Sequence, residues 1–368
     1  MAWARCRAGR RRRAGQLGNS LGITVDRLKT NAISALVLIT WLAGADACGQ
    51  TTAPAAPPSR VPIAAPGREM ESKVLVDDLS GPLQLAASPT GQTLFTLRLE
   101  ARDVLGIDLA DPTKRWTAVP AIPGSDPKAL GVIDSSTLAL VVRENETWSI
   151  RVHRLPAPGS PGAADPVQSV KLGTSAASGA EPLVVVSPAR DWLAVTGLPA
   201  PMPKILRLTI TGARLGAPSE RRCPPLGDRP QAVTVGTAGE WGVFLPATPD
   251  AAGNGSFFSW VSPSGGQRLL HTDTGLERVV AAACCRETGL LWALAGGAIG
   301  GGAEGLWRVD AAYVEGRQVT RPVSIAALPA PTAVVCLPNG EVAVSHGLAT
   351  SRIVRFTPRA GGTKEPDR

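Results

Sequence analysis

Six times along this chain a short apolar run, a tight turn and a second apolar run follow one another at nearly even intervals, and this constrains the fold more than any other feature. The clearest copies are LQLAASPTGQTLFTL, ending at Leu97, and PLVVVSPARDWLAV, ending at Val195. QAVTVGTAGEWGVF from Gln231, VVAAACCRETGLLWAL from Val279 and TAVVCLPNGEVAV from Thr332 repeat the pattern, and ALGVIDSSTLALVV from Ala129 is a weaker copy. The turn positions Gly91, Ser135, Asp191, Gly239, Gly289 and Gly340 are separated by 44, 56, 48, 50 and 51 residues, the period of four-stranded propeller blades of about 40 to 50 residues. Gly, Asp and Ser suit such turns because they accept positive φ or bond locally to the backbone. Each unit therefore reads as a β-hairpin.

A third strand follows each hairpin: VLGIDL from Val104, WSIRVHRL from Trp148, KILRLTI from Lys204, FFSWV from Phe257, LWRVDA from Leu306 and RIVRF from Arg352. Four of these carry an arginine between apolar residues, Arg151, Arg207, Arg308 and Arg355, which period-two alternation puts on the face opposite its neighbours. The expected role is a solvated arginine bridging a blade edge. Pro82, Pro127, Pro182, Pro230 and Pro331 recur at the start of the first strand, where no ladder donor is needed. The last unit ends at Phe356 without a fourth strand, whereas ESKVLVDDL, Glu71 to Leu79, stands unassigned before the first. The expectation is an all-β, six-bladed β-propeller of four-stranded blades, closed by this N-terminal strand in the last blade, since closure removes exposed sheet edges. A hydrophobic content of 44% is enough for the large core this requires, and 40 Gly and 33 Pro supply its turns.

The segments SPTGQTLF and SPARDWLAV, and more distantly LPNGEVAV, resemble the Ser-Pro-Asp-Gly hairpin of bacterial WD40-like propellers of the TolB and YVTN-repeat type. The resemblance is periodic, covers about Glu71 to Phe356, and lacks the Gly-His and Trp-Asp signatures of eukaryotic WD40 repeats. It implies an architecture shared by scaffolds, ligand binders, lactonases and dehydrogenases, so it leaves function open. No catalytic residue carries over from it.

The formal net charge of +8 is concentrated ahead of the repeats. Arg5, Arg7, Arg10 to Arg13, Arg27 and Lys29, against Asp26 and Asp46, leave only +2 from Cys48 onward, too little to mark a nucleic-acid binder. The basic stretch precedes the apolar run AISALVLITWLAGA, Ala32 to Ala45, the order of an export signal, and residues 1–47 are read as one. Small residues at Ala45 and Ala47 suit cleavage before Cys48, a junction that resembles a bacterial lipoprotein signal, although Asp46 departs from it. A lipid anchor on Cys48 and plain secretion both remain open. Residues 48–68, rich in Pro and Ala, read as a tether; 69–358 as the propeller; 359–368 as a disordered tail. The expected location is exported: periplasmic, membrane-tethered or extracellular, with membrane contact only through the signal or lipid.

The chain shows no GxSxG, P-loop or HExxH motif, and its three histidines, His153, His271 and His346, are far apart in sequence. Gly296 to Gly305 is Gly-rich but lacks the Lys-Ser/Thr of a phosphate cradle. Asp126, Glu181, Asp228 and Glu277 stand just before the first strand of four consecutive units and would crowd one mouth of the central channel. Such a rim suits Ca2+ or a polar ligand, while the interleaved Lys128, Arg229 and Arg278 suit a salt-bridged rim. Cys285 and Cys336 hold matching places in successive repeats, four residues before Gly289 and Gly340, so a disulfide between them would link neighbouring blades. Trp241, Trp260, Trp292 and Trp307 read as packing between blades. No cofactor is called for other than a possible Ca2+. The expected function is a non-enzymatic binding scaffold for a protein or small ligand of the cell envelope; the alternative is a propeller enzyme, lactonase or sugar-acting, with a metal at the channel mouth.

Overall fold

The computed structural model describes residues 70–163, 165–177, 181–202, 205–220, 231–245, 256–261, 272–298, 303–314 and 317–359. The expected signal, the tether with Cys48, and the tail beyond Arg359 lie outside them. Strand β1 (Met70–Ser80) precedes blade 1, which is β2 (Leu83–Ala87), β3 (Thr93–Arg98), β4 (Asp103–Asp108) and β5 (Arg115–Val119). Blade 2 is β6 (Asp126–Val132), β7 (Thr137–Glu144), β8 (Thr147–Arg154) and β9 (Gln168–Thr174). Blade 3 is β10 (Leu183–Val186), β11 (Trp192–Thr196), β12 (Ile205–Thr211) and two short outer pieces, β13 (Arg214–Leu215) and β14 (Ser219–Glu220). Blade 4 is β15 (Ala232–Val235), β16 (Trp241–Leu245), β17 (Phe257–Val261) and β18 (Thr272–Asp273). Blade 5 is β19 (Leu276–Cys284), β20 (Leu291–Ala298), β21 (Gly305–Val314) and β22 (Arg317–Ala327). Blade 6 is β23 (Pro331–Cys336), β24 (Val342–His346) and β25 (Thr350–Pro358), with β1 outermost in the order β1-β25-β24-β23.

The described strands thus form six sheets, each an antiparallel meander. The first strands touch in sequence, β2 with β6, β6 with β10, β10 with β15, β15 with β19, β19 with β23, and β23 with β2, so they line the axis of a closed ring. This is the expected propeller, closed as expected by the N-terminal strand. β1 runs antiparallel to β25 from the Met70–Pro358 pair to the Ser80–Thr350 pair, with register shifts between Val74 and Val76 and between Val76 and Leu79. Those irregularities let Leu75, Val76 and Leu79 all turn inward, where they pack against Leu83, Leu94 and Ile107 of blade 1.

Because both faces of each blade meet a neighbour, its inner strands carry apolar runs rather than simple alternation. The buried residues separate into six clusters, each shared by two adjacent blades. Trp116, Trp148, Trp192, Trp241, Trp292 and Trp307 fall at these seams, while the side chain expected there from Trp260 lies outside those described. Trp192 and Trp241 stack across blades 3 and 4 with centroids 5.1 Å apart, and Trp292 and Trp307 are buried at the two seams of blade 5. Gly131 on β6 leaves room for the next blade: a Cβ there would lie 2.4 Å from Val184 Cγ1.

The third-strand arginines differ from a uniform solvated bridge. Arg308 is buried and bonds Asp310 through both Nε and Nη2, at 2.7 and 2.8 Å. Arg355 grips Glu341, Arg151 pairs with Glu144, and Arg207 lies over the Trp192 ring at 4.8 Å. Each is neutralised or stacked within its own blade.

Candidate functional site

The six inner strands converge around a cavity of about 410 Å3 on the ring axis, lined by a segment of every blade. It opens where the first strands end and turn back, the hairpin end. Its wall is formed by Leu85, Val132, Val184, Val186, Val235 and Val335, and its rim by the hairpin turns themselves. Strand alternation explains the lining, since one face of each first strand points to the axis and the side chains there are mostly small or β-branched.

Two arginines stand on this rim. The turns of blades 1, 4, 5 and 6 place Gly91, Gly239, Gly289 and Gly340 at φ between 66° and 80°, the left-handed region natural to glycine. In blade 3 the left-handed residue is Arg190, at φ 57°, one position before the Asp191 expected from the repeat. Its N–H closes the turn on the Ser187 carbonyl at 2.9 Å, as Gly91 N–H does on Ser88 in blade 1. The side chain reaches across to blade 2, where Nη1 donates to the carbonyls of Val132 and Ile133 at 3.1 and 2.7 Å. Arg286 is exposed in the turn of blade 5. Burial and the field of Arg286 both lower the pKa of Arg190, with Asp134 opposing them.

The carboxylates nearby are engaged. Glu287 Oε2 accepts the Asn339 N–H at 2.7 Å, and Asp134 Oδ1 accepts the N–H and hydroxyl of Ser136 at 2.7 and 2.9 Å. An anion placed between the arginines would relieve their mutual repulsion, while its apolar part would meet valine side chains.

Three thiols complete the wall between blades 5 and 6. Cys284 and Cys336 line the cavity and Cys285 is buried behind them. Cys285 and Cys336, the expected bridging pair, are neighbours across the seam of blades 5 and 6 and carry free thiols. The proximity of Cys336 lowers the pKa of Cys285 against the effect of burial. Burial, and next the neighbouring Cys285, raise Cys336, and burial pushes Cys284 up to about 12.

The acidic rim expected from the sequence belongs to the other end of the ring, where first strands begin. Asp126 pairs with Lys128 at 2.9 Å, while Glu181, Glu277 and Arg278 are exposed at the starts of β10 and β19. Asp228 and Arg229 lie outside the described residues. Among the described residues no three His, Cys, Asp or Glu side chains are grouped to hold a metal ion. His153 is buried on β8 in blade 2, His346 is on β24, and His271 lies outside the described residues. The reading by repeats missed Arg190 and Arg286. Their signal was a departure from the repeat: Arg190 occupies a glycine position, and Arg286 stands where Pro89, Pro188 and Pro338 stand in other turns.

No protein-family profile matches the chain, and neither does any curated protein sequence. Solved structures do share the fold. The PQQ-bound aldose sugar dehydrogenase of Streptomyces coelicolor aligns at 13% identity over 80% of this chain and 99% of its own, with a TM-score of 0.51. A glucose dehydrogenase aligns at 13% identity over 80% of this chain and 100% of its own, TM-score 0.50. A virginiamycin B lyase from Staphylococcus aureus aligns at 16% identity over 78% and 99%, TM-score 0.47.

Proposed function

We propose that this chain is an exported propeller, anchored to the cell envelope or released from it, that binds a small anionic ligand in its central cavity without transforming it. Its Ser-Pro turns group it with the TolB and YVTN-type repeat proteins. The observation that carries the reading is the pair Arg190 and Arg286 at the rim of the cavity, with the adjacent Glu287 already bonded to Asn339. Arg190 is placed before any ligand arrives, because its guanidinium is fixed on the blade 2 carbonyls. Preorganisation of this kind lowers the entropic cost of binding.

Calorimetric titration with small aliphatic carboxylates and phosphate esters, beside their neutral amides or alcohols, tests it. The anions bind more tightly, the affinity falls with salt, and Arg286→Gln weakens it on the order of tenfold, the effect of losing one charge-assisted bond of about 1.5 kcal/mol. Equal binding of neutral analogues, or an unchanged affinity in Arg286→Gln, rejects the site.

The second reading is a propeller enzyme acting on a sugar or lactone at the opposite, strand-start mouth. The activities of the two sugar dehydrogenases that share its fold favour it. Turnover of an aldose or lactone, with or without added Ca2+, that survives Arg286→Gln but is lost in Glu277→Gln would establish that reading instead.

A further inference from the structure

The cavity wall carries nucleophiles that anion binding does not use. Cys336, at the end of β23, faces the cavity; Cys285, just past the end of β19, is 1% exposed and lies in the apolar cluster of blades 5 and 6 with Trp292 and Val334. The inner strands β19 and β23 lie side by side on the axis, and their ends bring Cys285 and Cys336 into one seam as neighbouring free thiols. The thiolate is the form that attacks disulfides, and Cys336 is the one of the pair that a molecule in the cavity meets. Cys284, the chain neighbour of Cys285, also lines the cavity, with its thiol directed at the Gly289 carbonyl, 3.8 Å off. The seam is also held in register, because Glu287 takes the Asn339 N–H at 2.7 Å and a Cβ on Gly340 would come within 3.1 Å of Thr288.

We propose that Cys336 and Cys285 form a thiol–disulfide exchange site whose co-substrate is a small-molecule disulfide entering through the central cavity. With one proton lost to water, the pair is a monoanion. The Cys336 proton passes to Cys285, and the Cys336 thiolate attacks one sulfur of the incoming disulfide. A mixed disulfide forms on Cys336, the original S–S bond breaks, and the departing thiolate takes a proton from water. Cys285 then gives its proton to water and attacks Cys336 Sγ, closing the Cys285–Cys336 bond and expelling the second small thiolate, which is protonated in turn. Two protein thiols are oxidised and one disulfide is reduced to two thiols. The product is a covalent link across the seam of blades 5 and 6. It does not depend on the cavity taking an anion.

The test uses the full chain, reduced with dithiothreitol, desalted, then incubated with oxidised glutathione, quenched in acid, alkylated and mapped by peptide mass. Wild type yields the Cys285–Cys336 cross-link with Cys284 alkylated; Cys285→Ser accumulates glutathione on Cys336; Cys336→Ser leaves Cys284 and Cys285 alkylated and free of glutathione. A cross-link through Cys284 overturns the assignment. So do Cys285 and Cys336 thiols left intact in the wild type while a free peptide thiol in the same tube is consumed, a result that needs no variant to fold.

Discussion

The guanidinium of Arg190 rests on the main-chain carbonyl of Ile133, 2.7 Å away, although the two residues belong to different blades. One side chain therefore sutures the ring and supplies charge to its cavity. Arg190→Gly separates these roles. Glycine removes a left-handed cost of about 1 kcal/mol, but the two lost charge-assisted bonds are together worth about 2–3 kcal/mol, so stability falls by about 1–2 kcal/mol. Scanning calorimetry reads this as a melting point lower by about 2–5 °C. An equal or higher melting point would mean that the bonds to blade 2 contribute nothing.

His153 makes the fold sensitive to acid. Burial, and next the charge of Arg151, lower its pKa from 6.5 to about 4, with the Ala163 backbone and the charge of Asp165 opposing them. The unfolded chain takes up the proton below about 6.5 and the folded one only near 4. Stability is thus complete above pH 6.5 and is lost as pH falls toward 4, by about 3 kcal/mol at most. Urea unfolding of wild type and His153→Gln at pH 7.5 and 4.5 checks it: the difference between the two proteins narrows at low pH. A difference that stays constant removes His153 as the cause.

Gly131 is set by its neighbour across the seam. Ala at this position puts a methyl group 2.4 Å from Val184 Cγ1 and costs about 1–3 kcal/mol. Val184→Ala should restore most of that loss, giving a favourable coupling in a double-mutant cycle. Additive losses would show that the clash is relieved elsewhere.

Deleting residues 70–80 leaves β25 as an open edge and uncovers the side of blade 1 that Leu75, Val76 and Leu79 cover. The expected outcome is association that grows with concentration, seen by light scattering, and a lower melting point. A monomer with unchanged melting behaviour would mean that the strand is dispensable.

The repeat made the fold readable because each hairpin, turn glycine and leading proline reports one blade, and the unpaired ESKVLVDDL segment reported how the ring closes. The cavity was not readable in the same way. Periodicity says which residues lie at each end of the first strands, but which end stays open depends on side chains from all six blades meeting on the axis. Charged residues before the strands drew attention to the strand-start end, where Asp126 is matched by Lys128 two residues on. Arg190 and Arg286 could have been found by asking where a turn breaks the habit of the others, since an arginine in a glycine position needs a reason. That Cys285 and Cys336 hold matching places in successive blades was visible in the repeat; that Cys336 lines the cavity while Cys285 is buried behind it was not, because only packing decides which side chain meets the axis.

A strand made first and strands made last share blade 6, and the Ser351 hydroxyl bonds the Gly81 carbonyl across 270 residues of chain. Contacts this distant carry a large loop-closure entropy, so the final blade cannot assemble until its last strand is available, however early the other blades form. The ring is thus a latch that only the complete chain can shut. A premature stop inside blade 6 gives a propeller with two unpaired edges and nothing to join them.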